Sequence, residues 1–211
     1  KAIAMKLYSN DEDADIVVIN KNEYKNAKNI LKLNHWIIKN NKSKIRERDK
    51  DFFKNKKYPY FVHLHQDFSW NTVPYLDSHK VWKRKNKTNG ILLPSIEDEL
   101  LIIAAHSFFE NQYIKPEEIL YGKALLKKNP DFEYIKKVSN EFNWKEGVNI
   151  ALEKIQKNES LLSISQLLLV KIKKLAKDFG KISFGQTISE ILNYFFIDWV
   201  WKYRILLKKQ L

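Results

Sequence analysis

The chain has 211 residues, 44% of them hydrophobic, with only five Gly and five Pro; that is enough apolar material for a buried core and excludes collagen-like, linker-rich and wholly disordered chains. It contains no Cys, which excludes disulfide scaffolds and thiolate zinc sites and accords with a cytoplasmic location. No apolar run approaches the roughly 20 residues that cross a bilayer, so no membrane partner is expected, and the net charge of +13 points instead to polyanions.

In chain order, residues 2–8 alternate weakly as a strand, and residues 15–19 carry the Ile-Val-Val-Ile run of a buried strand. Asn20 is placed to cap a helix over 21–33, with Tyr24, Ala27, Ile30 and Leu31 at helical spacing. Residues 36–39 and 44–48 read as short strands, and residues 60–70 as one long strand. Asn89-Gly90 marks a tight turn between 85–87 and 91–93. From Pro94 the pattern is helical: Ser95 with Asp98 opens a helix running to about 110, followed by helices over 116–127, 131–143, 145–158, 160–178 and 188–207. Strands followed by helices predict an α+β fold, a small mixed sheet with flanking helices over 1–93 and a C-terminal helical bundle over 94–211.

The charge is uneven. Residues 1–93 hold 20 basic and 10 acidic side chains, against 18 and 15 in the remainder. Two runs, 39–57 and 80–87, concentrate the excess, and Lys42, Lys44, Arg46, Lys83 and Arg84 are the candidates to attract a triphosphate or a nucleic acid. A Lys- and Asn-rich composition giving basic surfaces everywhere is the plainer alternative.

Asp13 and Asp15 stand two apart at the mouth of the most apolar strand, so a strand period of two puts both carboxylates on one face. Two converging carboxylates call for a cation, and hard divalent ions take oxygen ligands, as in phosphoryl transfer. A solvated acidic turn over 11–15 is the other reading. Downstream, His63, His65 and Asp67 alternate and share one face of the strand expected over 60–70, either as ligands or as a polar solvated face. The His-x-His-x-Asp spacing resembles that of metallo-β-lactamase hydrolases, but Phe68 stands where that pattern has a further His. His106 reads as a core histidine or as a residue lining the cleft between sheet and bundle. The aromatic residues Tyr194, Phe195, Phe196, Trp199, Trp201 and Tyr203 read as bundle core or homodimer surface before base-stacking platform.

Three segments together carry a family resemblance. Asp13-Ala14-Asp15-Ile16-Val17-Val18 resembles the Asp-x-Asp strand of the nucleotidyltransferase superfamily, the polymerase-β-like fold. Residues 60–70, YFVHLHQDFSW, resemble the later strand of the uncharacterised nucleotidyltransferase family, and residues 95–109, SIEDELLIIAAHSFF, the helix that opens its C-terminal part. The resemblance covers about residues 2–125 and implies Mg²⁺ (or Mn²⁺) held by Asp13 and Asp15, an NTP substrate, and a third acidic position that helps activate an acceptor hydroxyl. His63 stands at that position, with His65 as a further ligand and Asp67 four residues on as its substitute. The family's Gly-Ser phosphate turn is reduced to Tyr8-Ser9, where Ser9 could donate one hydrogen bond, unless a Gly-Ser lies upstream of Lys1. The expected activity is transfer of a nucleoside monophosphate to a nucleic-acid, protein or other hydroxyl acceptor. The alternative is a degenerate module that binds nucleotide, nucleic acid or protein without turnover.

Overall fold

The computed structural model describes residues 2–4, 13–39, 50–70 and 73–178. Five short strands form one mixed sheet: β1 (Ala2–Ala4), β2 (Asp13–Val18), β3 (Ile37–Ile38), β4 (Lys50–Lys54) and β5 (Phe61–His65), in the order β1-β2-β5-β4-β3. Only β2 and β5 are parallel, with Asp15 opposite His63 and Val17 opposite His65; β4 runs antiparallel to β5, with Lys50 opposite His65 and Phe52 opposite His63. The parallel pair needs a crossover, and α1 (Lys21–Leu33) lies on it, capped by Asn20, whose side chain accepts from the Glu23 N–H at 3.0 Å.

The sheet is covered on both faces by different material. Val18, Val62, Leu64 and Phe53 pack with Tyr24 of α1 and with Trp36 in one small core. Val17, one residue over and therefore on the opposite face, belongs to a larger core with Phe68, Tyr75, Leu76 and the C-terminal helices. The larger core thus draws on both sides of residue 93.

The strand expected over 60–70 is shorter than the alternation suggests. β5 ends at His65, the chain turns, and β6 (Ser69–Trp70) pairs with β7 (Val73–Pro74) as a separate hairpin. One local and one tertiary force end it. The Asp67 carboxylate accepts from the Phe68 N–H at 2.8 Å, a local bond that competes with ladder pairing, and Phe68 is fully buried in the larger core beside Tyr75. A second departure is α2 (Ser78–Arg84), absent from the sequence expectation because its basic residues hide the pattern. Asp77 caps it, accepting from the N–H groups of His79 at 2.8 Å and Lys80 at 3.2 Å. The Asn89-Gly90 turn joins β8 (Asn86–Thr88) to β9 (Ile91–Leu93) as expected, with both residues at positive φ (50° and 84°).

The helical part follows its sequence pattern closely. It comprises α3 (Ile96–Ala105), α4 (Pro116–Leu126), α5 (Phe132–Glu141), α6 (Lys145–Lys157) and α7 (Ile164–Asp178). Residues 98–105 of α3 are all buried, so this helix is the axle of the bundle. Its buried acids are satisfied: Asp98 accepts from Tyr134 Oη at 2.8 Å and Ser95 Oγ at 2.9 Å, and Glu99 from Tyr121 Oη at 2.5 Å. The predicted helix to about 110 loosens after Ala105 into a π-helical segment, His106–Asn111. No helix among the described residues is long and apolar enough to cross a membrane. The strand expected over 44–48 and the aromatic helix over 188–207, with its homodimer surface, lie outside the described residues.

Candidate metal centre

Asp15, His63 and His65 converge on the sheet face opposite α1. The parallel register sets this up: Asp15 lies directly across from His63, and His65, two residues along β5, points the same way. Asp15 Oδ1 lies 3.1 Å from His63 Nδ1 and 2.9 Å from His65 Nε2. All three are buried, at 5%, 9% and 1% exposure respectively, so they meet in a low-dielectric recess, away from the solvated surface. One carboxylate oxygen and two ring nitrogens, all within 4.8 Å of one another, make a donor set that can hold a metal ion. While neutral, each imidazole can donate an N–H to Asp15, so the hydrogens lie where a cation would.

The surroundings tune the cluster. Burial pushes the His65 imidazole below its usual pKa, with Asp15 opposing that shift and Lys50 and His63 adding to it. The ring is therefore neutral at neutral pH, with one nitrogen lone pair to offer, which ligation demands. Lys50, opposite His65 on β4, puts a positive charge on the same sheet face. Phe52 packs edge-on to the His63 ring, with centroids 4.4 Å apart. Tyr75 is fully buried in the larger core beside Phe68 and Trp144. Burial raises its hydroxyl well above the usual tyrosine range, and the charges of Asp15, Asp67 and Glu110 raise it further. Asp15 and Asp67 therefore act on one buried hydroxyl.

The structure distributes the sequence candidates unevenly. Asp15, His63 and His65 come together. Asp13 begins β2 opposite Phe61, two residues from Asp15, and its side chain lies outside the described residues. Asp67 does not share the strand face of His63 and His65, because β5 has already ended; it sits exposed in the following turn, held by the Phe68 N–H. Arg84 is committed to the helical layer: Nη2 bonds Glu97 at 2.6 Å, Nε lies 3.8 Å from Asp98, and the guanidinium stacks over Tyr134 at 3.7 Å. Lys83 is exposed on α2. Ser9, Lys42, Lys44 and Arg46 lie outside the described residues. His106 is a buried, satisfied histidine, with Glu118 at Nδ1 and Glu110 3.0 Å from Nε2.

Sequence reasoning missed three contributors. Lys50 was submerged in a basic run, and only the β4–β5 register singles it out. Phe52 is visible as its alternate neighbour, two residues along the same strand. Tyr75 gave no local signal, since its place depends on how the β6–β7 hairpin folds back. Comparison with protein-family models, with curated proteins and with solved structures finds no match.

Proposed function

We infer that the chain is a metal-dependent nucleotidyltransferase, in which Asp15, His63 and His65 hold one divalent cation and a nucleoside monophosphate passes from an NTP to an acceptor hydroxyl. The observation that carries this reading is the convergence of those three side chains on a parallel strand pair, where the family resemblance implies a catalytic cation. Asp13, at the head of the same strand, is the second carboxylate of the implied pair. The donor set refines the choice of ion. Imidazole nitrogen favours first-row transition ions, while Mg²⁺ prefers an all-oxygen shell; of Mg²⁺ and Mn²⁺, Mn²⁺ suits this cluster better.

When bound, the ion neutralises triphosphate charge and orients the α-phosphate. Lys50 adds a fixed positive charge on the same face. The acceptor oxygen forms a bond to the α-phosphorus, the α–β phosphoanhydride bond breaks, and pyrophosphate leaves. With His63 engaged as a ligand, the exposed carboxylate of Asp67, in the turn just after β5, is left to take the acceptor's proton.

A second reading has its own support. His63 replaces the expected third acid and is turned onto Asp15, which suits a module that binds nucleotide without turnover. Calorimetry with Mn²⁺, Mg²⁺ and each NTP, run beside transfer of an α-phosphate radiolabel, separates the two. Metal-dependent transfer that disappears in Asp15→Asn supports the enzyme. Binding without transfer supports the module, and absence of both overturns the nucleotide reading.

A further inference from the structure

The sheet face opposite the metal centre carries a second feature. At the end of the small core, a cavity of about 660 Å³ opens between the turn after α1 and the loop joining β4 to β5. That volume suits a base and its sugar. Three rings form one wall. Trp36 and Tyr58 stack with centroids 5.7 Å apart and planes 10° apart, while Tyr60 lies 5.6 Å from Trp36 and 5.5 Å from Tyr58. Trp36 is anchored at 8% exposure, whereas Tyr58 and Tyr60 remain 38% and 37% exposed, so the aromatic surface is rooted in the core and open outside. Contiguous exposed apolar surface at a cavity mouth is a mark of ligand-binding grooves.

The platform is also held in shape. Asn55 donates to the Asn34 carbonyl at 3.0 Å and accepts from the Lys57 N–H at 2.8 Å, which ties the two turns together. His35 takes the left-handed conformation (φ 63°) to bring Trp36 into place. Leu33, 79% exposed, forms an apolar lip.

The charge of the rim selects the occupant. Lys56 and Lys57 line the cavity, Lys57 lies 5.5 Å from the Tyr58 ring, and no carboxylate contributes to the lining. Neither lysine forms an ion pair among the described residues, although the chain finds carboxylate partners for Lys28, Lys80, Lys154, Lys157 and Lys173. Aromatic rings that accept a flat face, bordered by uncompensated cations, are the combination that holds unpaired bases and their phosphates. A proline-rich peptide would use the rings but not the lysines.

We propose that this cleft binds single-stranded nucleic acid, with an unpaired base against the Trp36–Tyr58–Tyr60 rings and flanking phosphates on Lys56 and Lys57. The inference is independent of the metal centre, which occupies the other face of the sheet.

The test is fluorescence anisotropy of the full chain with a labelled ten-nucleotide dT or rU strand, at several salt concentrations and with EDTA present. Single strand should bind more tightly than a duplex of equal length. Tyr58→Ala should weaken binding about 5- to 160-fold, the range for one base–aromatic stack, and Tyr58→Phe should restore it. Lys56→Glu and Lys57→Glu should each weaken binding and flatten its salt dependence, while Lys137→Glu, on the exposed side of α5, should change it far less. Circular dichroism reports whether Tyr58→Ala stays folded, and the exposed lysine variants carry the test if it does not. Equal affinity for duplex and single strand would overturn the proposal. So would affinity unmoved by Tyr58→Ala in a folded protein, equal losses in Lys57→Glu and Lys137→Glu, or capture of a poly-proline peptide in place of the oligonucleotide.

Discussion

Replacing Asp15 by Asn separates a metal centre from a merely hydrogen-bonded triad. Asn keeps the shape and one acceptor oxygen for the two imidazoles, which lie 3.1 and 2.9 Å from Asp15 Oδ1, but removes the anionic ligand. A ligand that binds only the native state adds about 2.7 kcal/mol of stability at a hundred times its Kd. For a chain of this size each kcal/mol raises Tm by roughly 2–4 °C, so saturating Mn²⁺ should raise the wild-type Tm by about 5–11 °C, reversibly with EDTA. Loss of an outer-shell partner already weakens metal sites about 10- to 100-fold, and loss of a direct ligand should weaken this one by at least about 100-fold. At the same metal concentration the variant then gains only about 0.4 kcal/mol, a shift below about 2 °C. Differential scanning calorimetry of both proteins, with and without Mn²⁺, reads this directly. An undiminished shift in Asp15→Asn would mean that the ion binds elsewhere, and no shift in the wild type would mean that the triad is structural.

The structure sets three further expected outcomes. Because burial holds the folded His65 below its usual pKa of 6.5, the unfolded chain binds a proton there that the native state does not. Stability of the metal-free protein should therefore rise with pH across that window and fall on acidification below about 6.5, with a limiting slope of about 1.4 kcal/mol per pH unit; urea titrations at pH 5.5 and 7.5 should show it, and His65→Gln should flatten it. Gly147→Ala should destabilise by about 1 kcal/mol despite a better helix propensity, since the new Cβ would lie 2.9 Å from Val170 Cγ1. Adding Val170→Ala should recover part of that loss, and strict additivity in the double mutant would refute the packing explanation. The Lys174 ammonium, 1% exposed, bonds Asp178 at 2.7 Å and the Phe142 carbonyl at 2.8 Å, so Asp178→Ala should lower stability by about 3–5 kcal/mol through an uncompensated buried charge. Lys174→Met, of similar volume and uncharged, should cost less in the same denaturation experiment.

Much of the fold was legible because local chemistry and tertiary demand agree along most of the chain. The α1 helix begins after its Asn20 cap and ends at Leu33, as its apolar spacing and the Asn34-His35 turn dictate. Ser95, Asp131 and Pro116 open their helices for reasons that act within one turn. The strand period likewise puts His63 and His65 on one face. Where the readings diverge, a distant contact overrides a local pattern. Residues 66–70 alternate like strand, yet Phe68 is drawn into the larger core beside Tyr75, which takes Asp67 off the ligand face. Arg84 reads as a phosphate fork, yet Glu97, Asp98 and Tyr134 claim it from two other helices.

The sequence by itself determined the mixed α+β order, the caps, the basic character and the chemical identity of the candidate ligand side chains, since each depends on neighbours within a few residues. Tertiary structure alone decided which acid joins the two histidines, because the match of Asp15 to His63 is a parallel register between strands 48 residues apart. It also gathered Trp36, Tyr58 and Tyr60 into one wall: alternation and helical periodicity report which way a side chain faces along its own segment, but carry no information about which segment will lie beside it.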